Sequence, residues 1–276
     1  MAVEPAASSR HFARLARVLV HVHDHLDEDL DLDRLADLAA YSPFHWHRIW
    51  HATFGETLAA TVRRLRLHRA SGLLASSQLS VERIAGQCGY DNAESFVRAF
   101  RGAYGQTPLA WRAAGPTSVP GVLSVTIQQM PVIALAGLDH KGSYMGVGRA
   151  FELAFLGMQQ AGLMQPQTAW IAEYLDDPFA IPEARLRSRA GLSLPEGGEA
   201  PAPLVRFDVG GGPCAVLRYR GPYAEMRPAY GWLYGDWLLQ SGREPADRPV
   251  FEIYLNNPRD TAPADLLTEI VMPLLG

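Results

Sequence analysis

The chain has 276 residues, 48% of them hydrophobic and 20% charged, with a formal net charge of −4. That length supports a substantial core and exceeds one typical domain, so two domains are expected. No apolar run reaches the roughly 20 residues of a membrane span, the opening MAVEPAASSRHF lacks a signal-peptide apolar core, and Cys88 and Cys214 stand outside any CxxC pair. A membrane protein, a disulfide framework and a zinc ribbon are thereby excluded, and a soluble cytoplasmic protein with two buried thiols is expected.

The charge is unevenly spread. Residues 1–115 hold 13 Arg against 12 acids, and residues 116–276 hold 12 basic against 17 acidic side chains. From Ser42 to Arg112 there are 9 Arg and 4 acids, a basic segment that admits a polyanionic partner.

Helical periodicity dominates the first half. HVHDH at 21–25 puts His21 and His25 on one helix face, and His47 with His51 repeats the spacing. Spacing alone is a weak metal signal, no third ligand converges, and no metal site or cofactor is expected. Leu32, Leu35, Leu38 and Ala39 then mark a short helix ahead of SPFHWHRIW, residues 42–50.

Ser42 with Pro43 reads as a hydroxyl N-cap followed by proline at the first helical position. On that helix Trp46, Ile49 and Trp50 form an apolar stripe, while Phe44, His47, Arg48 and His51 share another face. Such a presented face suits the DNA major groove, where Arg pairs bidentately with guanine and an aromatic touches a thymine methyl; a solvated face with a snorkelling Arg is the alternative.

LAATVRRLRLHRASGLL, residues 58–74, reads as one helix of about 25 Å. Beyond it the first pattern recurs: IAGQCGYDNAES parallels LADLAAYSPFHW, with Asp91 as a candidate cap and Glu94 three residues on. The second helix buries Phe96, Ala99, Phe100 and Tyr104 and presents Glu94, Val97, Arg98 and Arg101. Two helix-turn-helix units in tandem are expected, spaced by a rigid helix to enter successive major grooves about 34 Å apart.

With these motifs, residues 10–112 resemble the AraC/XylS family of transcription regulators. The resemblance rests on the SPFHWHRIW helix, the FGETL turn, the RLxxA spacer and LSVERIAGQCGYDNAESFVRAFRGAYGQTPLAWR. It implies a reader of two adjacent major grooves, with Phe44, His47 and Arg48 of the first helix and Ala93, Glu94, Val97 and Arg98 of the second near the bases. RNA polymerase is a further expected partner if the chain activates.

AAGPTSVPGV, residues 113–122, is short, uncharged and rich in Gly and Pro, as an interdomain linker would be. The expected division is a DNA-binding domain over 1–115, a linker over 116–122 and an effector-binding domain over 123–276. In the last part LSVTI, IALAGL, AVLRY and FEIYL alternate with two longer helical segments, and GGEAPAP at 197–203 marks a loop. The fold class expected is therefore an all-α tandem helix-turn-helix domain followed by an α+β domain.

That second domain shows an internal repeat. HKGSY (140–144) matches YRGPY (219–223) at an offset of 79, which also carries Phe151, Ala154, Phe155 and Met158 onto Tyr230, Leu233, Tyr234 and Trp237. Past the helix the offset is 80, pairing Gly162 with Gly242 and EYLDDP with IYLNNP. A duplicated strand-helix-strand module packed about a pseudo-twofold is expected, with a cleft between like surfaces. Strand alternation in the last strand of each repeat puts Glu252 and Tyr254 on one face, matched by Trp170 and Tyr174, with Tyr144 and Tyr223 in the nearby turns. A carboxylate unpaired among rings suits a bulky organic cation; an exposed edge-strand Glu is the alternative.

Residues 123–274 also resemble the GyrI-like (gyrase-inhibitor-like) effector-binding domain, through GPY, the WLLQSG helix end, FEIYLNNP and LLTEIVMPL. That resemblance implies a small-molecule pocket centred on Glu252, with many members sensing lipophilic drugs, and some stand-alone relatives acting as hydrolases. The expectation is a ligand-responsive transcription regulator without catalytic residues; a hydrolase of a small electrophile tethered to DNA-binding helices is the rival.

Overall fold

A computed structural model describes residues 5–115 and 123–276, leaving the linker segment 116–122 outside the described residues. The side chains at 5–9, 32, 33, 43 and 44 also lie outside them, Phe44 among these. The described residues separate into two compact units, one holding the helices up to Gly115 and the other the sheet and helices after the linker.

The first unit is all helix: α1 (Pro5–Asp24), α2 (Leu32–Leu38), α3 (Pro43–Phe54), α4 (Leu58–Ser76), α5 (Val81–Gln87), α6 (Ala93–Tyr104) and α7 (Pro108–Ala114). Its core is aromatic. Trp46 and Trp50 of α3 are fully buried, and Trp50 Nε1 donates to the Thr61 hydroxyl of α4 at 3.1 Å. A buried indole N–H is stabilised by such an acceptor, so this bond fixes α3 to α4. In α6, Phe96 and Phe100 are fully buried, and the Phe100 and Trp111 rings meet edge-on at 6.0 Å.

The spacer α4 runs 19 residues, about 28 Å, slightly longer than expected from the sequence. Arg66 ties it to its surroundings, donating to the carbonyls of Leu26 at 2.9 Å and Glu28 at 2.6 Å. Gly89, in the turn before α6, has φ +71°, and a Cβ there would lie 2.3 Å from the Leu26 carbonyl oxygen. Only glycine combines that backbone with that approach.

Two capping expectations are corrected. Ser42 occupies the N-cap of α3, yet its side chain makes no capping bond; Pro43 supplies the turn's fixed φ without it. The cap of α6 is Asn92 rather than Asp91, its Oδ1 accepting from Ser95 N at 2.8 Å. With the cap at Asn92, Asn92, Phe96 and Arg98 stand fifty residues after Ser42, Trp46 and Arg48, cap on cap and helix on helix.

The second unit is a six-stranded closed barrel in the order β1-β3-β2-β5-β6-β4, with every neighbouring pair antiparallel. Its strands are β1 (Val125–Lys141), β2 (Trp170–Tyr174), β3 (Arg187–Ser193), β4 (Val205–Arg220), β5 (Val250–Tyr254) and β6 (Leu267–Pro273). LSVTI and IALAGL, separate in the sequence reading, merge into β1. They are joined through Pro131, which lacks an N–H and faces the break in pairing at Gly211. A further strand, β3 or β6, follows the one expected to be last in each half.

Helix α8 (Gly148–Gln160) packs on one part of the sheet's outer face. Helix α9 (Arg227–Trp232), a π-helical turn over Leu233–Trp237 and α10 (Leu238–Ser241) cover another part. Leu135, Ile171, Val216, Phe251 and Val271 form a separate core on the opposite face. No helix among the described residues is long and apolar enough to cross a membrane.

Candidate functional site

The helical unit exposes one face each of α3 and α6. On α3, His47, Arg48 and His51 are exposed beside the buried tryptophans; on α6, Glu94, Arg98 and Arg101 are exposed, while Ala93 and Val97 are half-buried. Burying Trp46 and Trp50 forces the intervening positions outward, because residues one or two apart on a helix cannot share a face. The amphipathic split follows from apolar spacing alone.

The sheet unit concentrates its chemistry in one row. Leu138, Ala190, Ala172, Glu252, Ile270 and Leu217 are successive cross-strand partners through all six strands. Glu252 is the only charged residue in that row, and it is 3% exposed. It faces the helices, since Ala172, Ala190, Leu217 and Ile270 pack in the cores beneath α8 and α9.

Glu252 is not unpaired, as the sequence reading had it. Tyr230 of α9 donates to Oε1 at 2.6 Å, Tyr254 to Oε2 at 2.7 Å, and Tyr174 reaches Oε2 at 3.4 Å. The Tyr174 and Tyr254 hydroxyls meet at 2.6 Å. They come from adjacent strands, two residues either side of the Ala172–Glu252 pair, and the small Ala172 leaves room for both rings to lean inward.

Burial pushes the Glu252 carboxyl above its ordinary range, and the three tyrosine donors partly oppose that. Burial and the nearby carboxylate together hold the phenols of Tyr174, Tyr230 and Tyr254 well above their usual range, so they remain donors. The arrangement is a single buried carboxyl lodged behind a layer of rings, each hydroxyl satisfied inward.

The remaining expected residues surround it. Tyr144 packs edge-on to Tyr174 at 4.7 Å, with its hydroxyl donating to the Asp176 carbonyl at 2.6 Å. Tyr223 packs edge-on to Tyr254 at 5.4 Å. Trp170 stacks with Phe155 and tilts against Phe151, each at 5.7 Å. All six aromatic and acidic residues named from the sequence therefore lie in one connected cluster. Tyr230 and Phe151 also join this cluster, and neither was a candidate from the sequence. Both had been placed on the helix stripe, and the hydroxyl that distinguishes Tyr230 from its counterpart Phe151 was the available signal.

His21 and His25 stack at 4.1 Å, with His25 Nδ1 against the His21 carbonyl. Among the described residues no group of three His, Cys, Asp or Glu could hold a metal ion.

Residues 123–275 match the GyrI-like small molecule binding domain. The chain belongs to the GyrI-like family. Residues 35–114 of this GyrI-like chain match a helix-turn-helix domain, and it carries that domain in its AraC-type form. Transcriptional regulator Rob of Salmonella typhimurium is 31% identical over 105 residues, 38% of this chain and 36% of that protein. The bifunctional transcriptional activator/DNA repair enzyme AdaA of Bacillus subtilis is 33% identical over 92 residues, 33% of this chain and 44% of that protein. The chain thus spans less than half the length of these relatives. The crystal structure of the EcmrR C-terminal domain superposes at a TM-score of 0.50 and 15% identity, covering 56% of this chain and 99% of that one, a likeness of fold.

Proposed function

We propose that this GyrI-like chain is a one-component transcription regulator, with sequence-specific DNA binding by residues 1–115 and sensing of a small hydrophobic or cationic molecule by residues 123–276, joined by 116–122. The observation that carries the reading is the pairing of two exposed arginine-bearing helix faces in one unit with a buried, tyrosine-ringed Glu252 in the other. Phe44, His47, Arg48, His51, Ala93, Glu94, Val97, Arg98 and Arg101 are assigned to DNA, with Ser42 at the start of the first recognition helix. A rigid α4 sets the two helices for successive major grooves. Tyr144, Trp170, Tyr174, Tyr223, Tyr254 and Glu252 are assigned to the ligand, whose positive charge Glu252 complements and whose body the rings cover. The chain acts in the cytoplasm without enzymatic turnover, and as an activator it engages RNA polymerase.

The sheet unit is read as a duplication, each copy comprising a strand, a helix and two further strands. The register supports this: Trp170 pairs with Tyr254 and Tyr174 with Val250, symmetrically about Ala172 and Glu252. The copies are unequal where it matters, since Glu252 and Tyr230 occupy the positions of Ala172 and Phe151.

The division is tested with two fragments. Residues 1–116 are expected to bind DNA with a steep salt dependence set by phosphate contacts, and residues 116–276 to bind a hydrophobic cation without DNA affinity. An aggregated first fragment, or DNA binding by the second, contradicts the assignment.

A further inference from the structure

The two segments that carry helices over the sheet differ by one residue between their flanking glycines, and the difference is localised. Ahead of them, Gly142 and Gly221, with φ +116° and +144°, lead into 3-10 turns that begin at Tyr144 and Tyr223, a spacing of 79. Behind them, Gly162 and Gly242, with φ +69° and +65°, stand 80 apart, as do the strand starts Trp170 and Val250. α8 is an uninterrupted α-helix. Its counterpart contains the π-turn, where Leu238 N–H donates to the Leu233 carbonyl five residues back.

One residue added to an α-helix rotates everything beyond it by about 100° and shifts it 1.5 Å. A π-turn absorbs the addition locally and lets both flanks keep their faces. Ala229 before it, Leu233 and Trp237 at its two ends, and Leu238 after it pack on the same core.

The turn changes which aromatic faces the sheet. In α8, Phe155 turns inward and stacks on Trp170. The residue 79 positions later, Tyr234, stands 44% exposed; burial of its remainder and the Asp177 carboxylate push its phenol up. Trp237, the counterpart of the buried Met158, packs inward, over a strand where the smaller Val250 replaces Trp170. The loop after β2 meets the same helix at Arg227, whose guanidinium lies 4.5 Å over the Phe179 ring.

We propose that the π-turn is the specificity-determining element of the Glu252 site, turning Tyr234 out while Trp237 stays in, so that the wall beside Val250 accepts the bulk of a wide ligand. The inference rests on the reading of Glu252 as the ligand site and on the duplication.

The test compares two monocations on the full chain, a fused three-ring rhodamine dye and the narrow benzyltrimethylammonium. Deleting Gly235 removes the extra residue and makes the helix continuous. Rhodamine affinity should then fall tenfold or more and benzyltrimethylammonium affinity less than threefold, with the melting temperature and DNA affinity retained. An unchanged ratio of the two affinities, including an equal loss of both, overturns the proposal. Should the deletion fail to fold, W237M decides: it preserves helix length and should move the ratio at least threefold, and an unmoved ratio overturns the proposal. E252Q is measured alongside. If E252Q binds both probes like the parent chain, the site reading itself fails; if it loses both while the Gly235 deletion keeps their ratio, the π-turn inference alone fails.

Discussion

Tyr230 and Glu252 are 22 residues apart in sequence and 2.6 Å apart in space, hydroxyl to carboxylate Oε1. The bond links the helix cover to the floor of the sheet at its one charged row position. Removing the donor with Tyr230→Phe should lift the Glu252 pKa further, because a hydrogen bond to the anion is what opposes burial. The variant should lose about 1.5–3 kcal/mol of stability where Glu252 is ionised, seen in urea titrations at pH values above its raised pKa. An unaltered urea midpoint across the whole pH range contradicts the bond's contribution.

Glu252 also sets a pH dependence of stability. Its folded pKa is raised above the ordinary 4.5, so within the window from 4.5 up to the raised value the folded chain binds more protons than the unfolded. Stability contributed by this group is therefore full below the ordinary carboxylate range and is lost as pH rises through the folded pKa. Glu252→Gln should gain melting temperature relative to the parent as pH rises, and the gain should vanish below the window. A difference that is flat with pH contradicts the raised pKa.

The same titration governs ligand affinity. Binding of a hydrophobic cation should weaken as pH falls through the folded pKa, since protonation removes the complementary charge. In Glu252→Gln the pH dependence should disappear along with most of the affinity, while DNA affinity stays unchanged. Calorimetric titration at several pH values checks this; an equally pH-dependent Gln variant points to a different acid.

Ala40 and Gly89 occupy the same turn position before their recognition helices, each followed by Tyr, and both have positive φ, 52° and 71°. Ala40 is strained there and exposed, so Ala40→Gly should stabilise by about 0.5–1 kcal/mol. Gly89→Ala should destabilise by at least about 2 kcal/mol, from the backbone and from the approach to the Leu26 carbonyl. Opposite signs in denaturant midpoints are expected; like signs contradict the assignment.

The sequence was most informative where one periodicity decides a face. Trp46 and Trp50 define the buried side of α3, and Phe96 and Phe100 that of α6, so the exposed arginines follow. Glu252 was legible for the same reason, as strand alternation places it with Tyr254. What alternation cannot carry is the distance across elements. Tyr230 lies on a helix whose apolar stripe hides one polar hydroxyl among carbons, and only the β2–β5 register brings Tyr174 over the same carboxylate. Capping was misjudged at Asp91 because Asp91 and Asn92 are both competent caps, and the extra turn residue decides between them. The change of offset from 79 to 80 was visible in the sequence, but its absorption as a π-turn depends on both flanks being pinned to the sheet.

In the proposed function one chain reads DNA through two arginine-bearing helices held by α4. Selection of bound fragments from genomic DNA, repeated with the full chain, Arg48→Ala and Arg98→Ala, tests it most directly. The account predicts two conserved sequence blocks about 10 base pairs apart, with each substitution relaxing one block at a cost of about 1–3 kcal/mol and leaving the other intact. Loss of preference at the same base pair in both variants, or selected fragments sharing no sequence, would contradict it.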